Sequence, residues 1–247
     1  MCGRFSLKAS AEEVERLFGL VGLDDFPARY NIAPTQPILM VVADPQPEGS
    51  NRPDRCALLV RWGFLPSWAK EPAKLPLLFN ARCETAASKN TFRAAMRYRR
   101  TLVPASGFYE WRREGKNKAQ AYWVKPRYGG LIALAGLMET YLAPNGSEID
   151  TGTILTTDAN ETLAPIHARM PVIIAPRDFE RWLDCRGREP REVADLLKPA
   201  DPGLLEAVPV SDRVNRVANA GPEIQEPVEE RPRPARRLGR PGQMTLL

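Results

Sequence analysis

Hydrophobic positions along the chain predict one helix near the N-terminus, followed by a series of short strands. Ser10 and Glu13 form a capping-box pattern, an apolar stripe follows, and Gly19 provides a stop, so residues 11–18 are expected to be helical. Beyond this helix, short apolar or β-branched runs alternate with Pro, Gly and polar clusters, a pattern typical of strands. These runs cover residues 38–43, 56–62, 101–104, 121–125, 131–139, 153–157 and 171–175.

Helical patterns fall between these runs without a regular alternation of strand and helix. They cover residues 84–98, 177–184 and 191–198. A parallel, doubly wound sheet requires that alternation, so the order favours an α+β domain around a largely antiparallel sheet. No internal repeat or low-complexity block interrupts residues 1–225, which we predict to form a single domain.

The composition changes at Glu226. Residues 226–247 are rich in Pro, Arg and Gly and lack apolar periodicity until the final QMTLL, so they are expected to be disordered. The 35 basic and 30 acidic residues of the 247-residue chain give a net charge of +5, and residues 231–247 contain five arginines and no acid. Residues 1–230 are therefore formally neutral, and they can bind a polyanion only where Arg and Lys side chains converge locally.

Several classes of protein are disfavoured by composition. No apolar run approaches the roughly 18 residues of a membrane span, and the N-terminus lacks the apolar region of a secretory signal, which predicts a cytoplasmic protein without a membrane partner. The four cysteines show no CxxC spacing and His167 is the only histidine, which argues against structural zinc and a disulfide framework. We expect no metal and no organic cofactor.

Cys2 is the first residue with distinctive chemistry. A small second residue permits removal of the initiator methionine, which would leave the α-amine and the thiol of Cys2 on one carbon skeleton. Both groups are reactive near neutral pH, because their reference pKa values are about 8 and about 8.5. Such a 1,2-aminothiol condenses with an aldehyde to a Schiff base and then closes to a five-membered thiazolidine. Position alone is equally compatible with an ordinary second residue.

Polar residues within apolar or aromatic segments are further candidates. Glu110 lies between Tyr109 and Trp111, where burial would raise its pKa and suit proton transfer, whereas an exposed strand position would leave it solvated. His167 stands at the entry to a predicted strand, where functional groups collect, although a lone histidine is also compatible with a structural role. Other such residues are Asn31 and Pro34 in segment 29–37, two tryptophans in 61–68, and Asn80, Arg82 and Glu84 in 79–85.

Seven segments, taken in order, resemble the SRAP family, which is named for SOS-response-associated peptidases and understood as sensors of abasic DNA. The segments are MCGRF, YNIAP, WGFLPSW, FNARCET, VPASGFYEW, IHARMP and PVSDRVNRVANAGPE, and they span residues 1–223. The resemblance implies an α+β fold, with a single SRAP-like domain around a mainly antiparallel, barrel-like sheet with flanking short helices. It also implies that Cys2 forms a thiazolidine crosslink with the ring-opened aldehyde of an abasic site in single-stranded DNA and so protects that site during replication.

The resemblance implies a catalytic role for four matching residues. Cys2 would form the crosslink, and Asn80 would hold Cys2 and the sugar in position. Glu110 would transfer protons during ring opening and Schiff-base formation. His167 would be the second acid or base and would also take part in reversal.

The resemblance also implies a DNA-binding surface. Arg4, Arg82 and Arg169 resemble phosphate-contacting arginines, whose planar guanidinium suits phosphate oxygens better than the lysine ammonium does. Pro34 and Trp68 resemble wedge or stacking residues that expose the lesion and bend the strand. Stacking and phosphate pairing tolerate any sequence, which suits a lesion with no base to read.

Two other classes of protein would use these residues differently. N-terminal-nucleophile amidohydrolases, including glutamine amidotransferases and peptidases, attack an amide with the thiolate and use the α-amine as base. A non-covalent binder of single-stranded or modified-base DNA would retain Arg82, Arg169 and Trp68 but would leave Cys2 without a role.

The last residues of the chain form a separate motif. QMTLL resembles the Q-x-x-L-[LF] peptide that docks on the replicative sliding clamp, with Gln243, Leu246 and Leu247 as the anchors. A disordered tether would raise the local concentration of such a peptide at DNA. A solubilising tail or a generic DNA-attracting arm is the alternative interpretation.

Overall fold

The computed structural model describes residues 2–48, 50, 53–113 and 119–231. Met1 and the clamp-peptide residues Gln243, Leu246 and Leu247 lie outside this set. The strands are β1 Phe5–Leu7, β2 Arg29–Ile32, β3 Pro37–Ala43, β4 Arg55–Trp62, β5 Asn80–Arg82, β6 Arg100–Ala105, β7 Gly107–Arg112, β8 Gln120–Pro126, β9 Ile132–Leu142, β10 Glu148–Asp158, β11 Arg169–Pro171, β12 Ile173–Ile174 and β13 Leu205–Val210. The α-helices are α1 Ala11–Phe18, α2 Cys83–Ala86, α3 Arg93–Tyr98 and α4 Phe179–Leu183, and 3₁₀ turns cover Pro72–Lys74, Pro176–Asp178, Pro190–Leu196, Pro202–Leu204, Asp212–Asn215 and Pro222–Gln225.

Five strands of the larger sheet close into a ring. Strands β4, β3, β6 and β9 follow one another through antiparallel pairings. Strand β10 then pairs in parallel with β4 and antiparallel with β9, which closes the ring. Outside the ring, β5 pairs in parallel with β10, while β11 and β12 pair antiparallel with β10 and β9. The predicted α+β fold with a mainly antiparallel, barrel-like sheet is confirmed.

A second, fully antiparallel sheet packs against the ring in the strand order β13-β8-β7-β1-β2. Its inner face contributes Phe5 and Phe108 to the main hydrophobic core, which also contains Trp62 of the ring. The rings of Phe5 and Trp62 meet edge to face with centroids 5.2 Å apart. Burial of each such side chain contributes on the order of 2 kcal/mol. This packing fixes β1, a strand of the second sheet, against the ring.

The structure confirms the first predicted helix and revises three later elements. Helix α1 has the reciprocal capping box of Ser10 and Glu13, and Gly19 ends it with φ 66° in the left-handed region. The expected helix over 84–98 is two short helices, α2 and α3, and the expected helix over 191–198 is a 3₁₀ turn. The run 171–175 divides into β11 and β12, which pair with different strands.

Five strands were absent from the predicted set: β1, β2, β5, β7 and β13. They are three to six residues long, and β2, β5, β7 and β13 contain Asn, Gly or Pro, residues that weaken a local strand pattern. Their formation depends on the partner strand rather than on local sequence. Strands β5 and β7 contain three of the candidate functional residues, Asn80, Arg82 and Glu110.

The packed part of the chain extends past the predicted boundary at residue 225. The Val228 amide donates to the Pro209 carbonyl oxygen at 2.9 Å, and Arg112 donates through Nη2 to the Arg231 carbonyl oxygen at 2.8 Å. Glu230 accepts from the guanidinium of Arg112, which is buried and therefore requires acceptors. Residues 226–231 thus belong to the packed chain, and the rest of the expected tail lies outside the described residues. None of the described helices is long and apolar enough to cross a membrane.

Candidate active site

Cys2 lies immediately before β1 at the edge of the main core. Its side chain is completely buried, and its Sγ atom lies 3.8 Å from the Arg4 carbonyl oxygen. The same carbonyl oxygen accepts the backbone amide of Tyr109 at 2.8 Å, so β7 holds the N-terminal residues in place. Burial raises the pKa of the Cys2 thiol far above its ordinary value, and the charge of nearby Glu110 adds to this effect. The thiol is therefore protonated in the resting protein.

Glu110 lies on the inner face of β7, as strand alternation requires. Phe108 on the same face belongs to the main core, whereas Tyr109 belongs to a separate cluster on the outer face. The Glu110 side chain is only 3% exposed, and burial is the main cause that raises its pKa above the usual carboxylate range. Of the two positions considered from the sequence, Glu110 therefore occupies the buried one. A raised pKa suits a group that acts as an acid or base near neutrality.

His167 lies at the mouth of the same site, with its side chain 31% exposed. Its Nδ1 atom is 4.0 Å from Oε1 of Glu110. The Arg169 amide donates to Nδ1 at 3.0 Å, and the Arg169 carbonyl oxygen lies 3.1 Å from the same nitrogen. The neutral ring can therefore accept from the amide through Nδ1, while the protonated ring can donate to the carbonyl. Both contacts with the Arg169 backbone hold the imidazole ring in place at the mouth of the site.

Asn80 is placed by β5, where it lies opposite Ile154 of the parallel neighbour β10. Its Nδ2 atom donates to the carbonyl oxygens of Phe79 at 3.0 Å and Ile154 at 3.4 Å. Its Oδ1 atom is buried and has no hydrogen-bond partner among the residues that the structure describes. A buried amide oxygen without a donor costs about 1–3 kcal/mol, so this atom is suited to accept from a ligand. Within the same residues, no hydrogen bond joins Asn80 to Cys2 or Glu110.

The three predicted phosphate-contacting arginines have different environments, and Arg169 is the most engaged. Its guanidinium forms a bidentate pair with Glu84 at 2.6 and 2.8 Å and a further ion pair with Asp158 at 2.6 Å. Nη2 also donates to the Thr156 carbonyl oxygen at 2.8 Å. Hydrogen bonding to Glu84 is the main cause that raises the pKa of Arg169. Two carboxylates therefore neutralise Arg169 in the absence of a ligand.

Arg4 and Arg82 form a contrasting pair. Arg4 is half-buried and donates through Nη1 to Asn31 Oδ1 at 2.8 Å and to the Val214 carbonyl oxygen at 2.6 Å. Nη2 reaches the Asn215 carbonyl oxygen at 3.4 Å. Arg82 is exposed, and it has no side-chain hydrogen bond or ion pair within the described part of the chain. Of the three, Arg82 has its guanidinium available to an incoming anion.

The two predicted wedge or stacking residues lie in loops. Trp68 is 54% exposed, whereas Trp62, the other tryptophan of its motif, is fully buried in the core. Pro34 is half-buried in a turn closed by a hydrogen bond from the Gln36 amide to the Ala33 carbonyl oxygen at 3.2 Å. Thr35 follows at φ 77°, a backbone conformation that glycine or asparagine adopts more readily. The turn therefore holds Pro34 at some conformational cost.

Sequence reasoning left two sets of positioning residues unassigned. Glu84 and Asp158 hold Arg169, and Asn31 joins Arg4 to the loop after β13. Glu84 and Asn31 both lie in segments that the sequence analysis singled out. Their roles could not be predicted, because Glu84 lies 85 residues from Arg169 in sequence and Asn31 lies more than 180 residues from Val214. Among the described residues, no three His, Cys, Asp or Glu side chains converge on a metal site.

Comparison with known proteins defines the class to which this fold and site belong. The family model described as SOS response associated peptidase (SRAP) matches residues 1–217. The chain is 36% identical over 229 residues to the abasic site processing protein YoqW of Bacillus subtilis (strain 168), covering 92% of this chain and 99% of that protein. The chain belongs to the SRAP family.

Two further comparisons agree with this assignment. The abasic site processing protein YedK of Escherichia coli (strain K12) is 32% identical over 241 residues, covering 92% of this chain and all of that protein. A crystal structure of a protein from Bacteroides thetaiotaomicron superposes with a TM-score of 0.77 at 25% identity, covering 92% of this chain and all of that one.

Proposed function

We propose that this protein recognises an abasic site in single-stranded DNA and forms a covalent thiazolidine crosslink to it through Cys2. The single observation that carries the proposal is the placement of the buried Cys2 thiol beside the buried carboxylate of Glu110, with His167 4.0 Å from that carboxylate. The abasic site processing proteins YoqW and YedK, named for this type of lesion, support the choice of substrate.

The reaction requires the removal of Met1, because only then does Cys2 have a free α-amine. The deoxyribose at an abasic site opens from its cyclic hemiacetal to an aldehyde. The α-amine adds to the aldehyde carbon, and the resulting carbinolamine loses one water molecule to form a Schiff base. The Cys2 sulfur then bonds to the same carbon, its proton passes to the nitrogen, and a thiazolidine closes. The net change is the loss of one water, with no oxidant and no cofactor.

Glu110 is the proposed proton carrier in these steps. Its raised pKa lets it donate a proton to the departing hydroxyl and then, as a carboxylate, accept the proton of the Cys2 thiol. A thiol with a strongly raised pKa needs such a base at the moment of attack. We assign His167 to the second proton transfer, at the solvent-facing side, and Asn80 to the orientation of the sugar through its free Oδ1 acceptor.

The proposed DNA-binding surface consists of the exposed Arg82, the carboxylate-held Arg169, and Trp68 and Pro34 in their loops. We include Arg4 in this surface as a residue that orders its neighbours. The exposed ring of Trp68 suits base stacking, and Arg82 suits a phosphate. Residues 1–230 are formally neutral and have no overall positive charge to attract DNA. Binding then depends on a small number of arginines placed close together.

The proposed location is the cytoplasm, on the nucleoid when DNA is bound, and the proposed functional unit is residues 1–225. The clamp-docking role of Gln243, Leu246 and Leu247 stays a prediction. A pull-down with purified clamp would test it by comparing wild type with a Gln243→Ala/Leu246→Ala variant, and equal retention would contradict it.

The first experiment is a denaturing gel of tag-free protein incubated with a single-stranded oligonucleotide that has one abasic site. We expect a heat-stable shifted band that is lost with Cys2→Ala, with an undamaged strand, and with protein that retains Met1. Cys2→Ala should still bind the strand without crosslinking, whereas a purely non-covalent binder would give no covalent band even with the wild-type protein. The absence of a band from protein shown by mass spectrometry to begin at Cys2 would overturn the proposal. Assays of glutamine and peptide hydrolysis would then test the amidohydrolase alternative.

A further inference from the structure

The loop after β13 is fastened to the N-terminal segment of the site. This loop, residues 212–219, begins with the 3₁₀ turn Asp212–Asn215 and is defined here as the C-terminal loop. The Asn31 amide donates to the carbonyl oxygens of Val214 at 3.2 Å, Arg216 at 3.2 Å and Asn219 at 2.7 Å. Arg4 adds its own bond to the Val214 carbonyl oxygen at 2.6 Å. Arg4, just before β1, and Asn31, in β2, therefore hold the backbone of the loop at several points.

Two contacts join the C-terminal loop to the strands that hold the reactive residues. Arg4, which binds the loop through its side chain, provides the carbonyl oxygen that lies 3.8 Å from Sγ of Cys2. Trp111, the neighbour of Glu110 in β7, donates through Nε1 to Asn215 Oδ1 at 2.8 Å. The loop is thus bonded, through Arg4 and Trp111, to the outer face of the strands whose inner face holds Cys2 and Glu110.

Two arginines of this loop point away from the packed chain, and Arg216 is the freer of them. Arg213 is exposed and lies 3.9 Å from Glu223. Arg216 is exposed, and its side chain forms no ion pair or hydrogen bond with the residues that the structure describes. Its backbone, by contrast, is fixed through its carbonyl oxygen by Asn31. A free guanidinium on a fixed backbone resembles Arg82 and differs from Arg4 and Arg169, whose guanidinium groups are already engaged.

We propose that the C-terminal loop is a second side of the DNA-binding surface, in which Arg216 contacts a phosphate of the bound strand. Arg4 and Asn31 are then positioning residues that hold the loop. The inference rests on the proposed function, since it assigns a further contact to the same strand. Charge complementarity supports this proposal. Because residues 1–230 are formally neutral, each unpaired arginine near the site adds substantially to the local attraction for the DNA phosphates.

The test measures non-covalent binding of an undamaged single-stranded oligonucleotide at a series of salt concentrations, in a Cys2→Ala background. Arg216→Gln removes the charge and keeps the side-chain length. Arg186→Gln is the matched control, because Arg186 is also exposed but lines a cavity beside Ala43 and Arg55. That end of the β3–β4 hairpin is about 20 Å from the end at which Trp62 meets Phe5.

We expect Arg216→Gln to weaken binding several-fold at low salt and to reduce the slope of log K against log salt by about 0.7, the value for one phosphate contact on a single strand. Arg216→Glu should weaken binding further, and Arg186→Gln should match the parent. Thermal unfolding should be unchanged in all three, because no backbone anchor of the loop is altered.

The outcomes separate this inference from the proposed function. If the parent binds and Arg82→Gln weakens binding while Arg216→Gln has the parent's affinity and salt slope, the C-terminal loop is not part of the surface and only this inference fails. If Arg186→Gln weakens binding as much as Arg216→Gln, the effect is one of net charge and the inference also fails. If the parent does not bind single-stranded DNA at all, the proposed function fails with it.

Discussion

The two faces of strand β7 contain polar groups that are stabilised in different ways. On the outer face, the Tyr109 hydroxyl donates to the Tyr30 carbonyl oxygen at 2.7 Å and accepts from Gln225 Nε2 at 2.9 Å. On the inner face, Glu110 is buried beside the Cys2 thiol, and its Oε1 atom lies 4.0 Å from Nδ1 of His167. The outer group belongs to a hydrogen-bond network that stabilises the fold, and the inner one lies beside a thiol whose pKa is raised by burial. Adjacent residues of one strand are therefore assigned separately, Tyr109 to stability and Glu110 to the proposed chemistry.

The largest effect should come from the inner face. Glu110→Gln keeps the shape of the side chain but cannot exchange a proton, so we expect the crosslinking rate to fall about 100-fold or more. Binding of an undamaged strand should be unchanged, because the arginines remain. Single-turnover crosslinking followed on denaturing gels gives the rate, and an unchanged rate would remove Glu110 from the chemistry.

The same substitution should alter the pH dependence of stability. Burial raises the pKa of Glu110 above its ordinary value near 4.5, so the folded protein retains this proton to higher pH than the unfolded chain does. The free energy of unfolding therefore falls as pH rises from about 4.5 through the folded pKa. Glu110→Gln lacks this loss, so its Tm should exceed that of wild type at pH 8, with a difference that shrinks towards pH 4. A difference that grows towards acid would contradict a raised pKa.

An intermediate effect is expected from the outer face. Tyr109→Phe leaves the Tyr30 carbonyl and the buried Gln225 amide without their partner, at a cost of about 1–3 kcal/mol in the free energy of unfolding. The crosslinking rate of the folded variant should stay within twofold of wild type, because the hydroxyl lies on the face away from Cys2. Denaturant unfolding and the gel assay measure the two quantities. A large loss of rate without loss of stability would show that the faces are not independent.

The smallest effect should come from the C-terminal segment that covers the outer face. Glu230→Ala removes the carboxylate that accepts from Arg112 and from the Tyr122 hydroxyl, the latter at 2.6 Å. Because Glu230 is nearly half exposed, we expect a cost of only about 1 kcal/mol in the free energy of unfolding, with no change in crosslinking. Glu226→Ala is the matched control, since this neighbouring glutamate is exposed and should have almost no effect. Equal effects of the two substitutions would show that residues 226–231 do not stabilise the sheet.

Local sequence was sufficient where a residue's environment is set by its neighbours in the chain. Helix α1 was predictable because Ser10, Glu13 and Gly19 act within one or two turns. The strands β3, β4 and β9 were predictable because each contains a continuous run of apolar or β-branched side chains between polar, Pro or Gly residues. The desolvation of Glu110 was predictable in part, because its flanking aromatic residues favour a packed strand.

The site was harder to predict where partners are distant in sequence. Arg82 and Arg169 look alike as residues in motifs, yet Arg82 is free among the described residues while Arg169 is held by Glu84 and Asp158. No local pattern distinguishes them, because the carboxylates arrive through β10 and α2. Strand β5 was missed for the same reason, since three residues become a strand only by pairing with β10.

The amino-acid sequence alone was enough to predict the family, because the motifs occur in the family's order, and the α+β class. It was also enough to propose the reactive groups, since a 1,2-aminothiol is a property of Cys2 itself once Met1 is removed. Only the tertiary structure decided that the thiol is buried beside Glu110, that the Arg169 backbone holds His167, and that Arg4 holds a loop more than 200 residues away. The physical reason is that pKa values and ion pairs depend on burial and on distances of a few ångströms. Those distances are set by the pairing of strands that lie far apart in the chain.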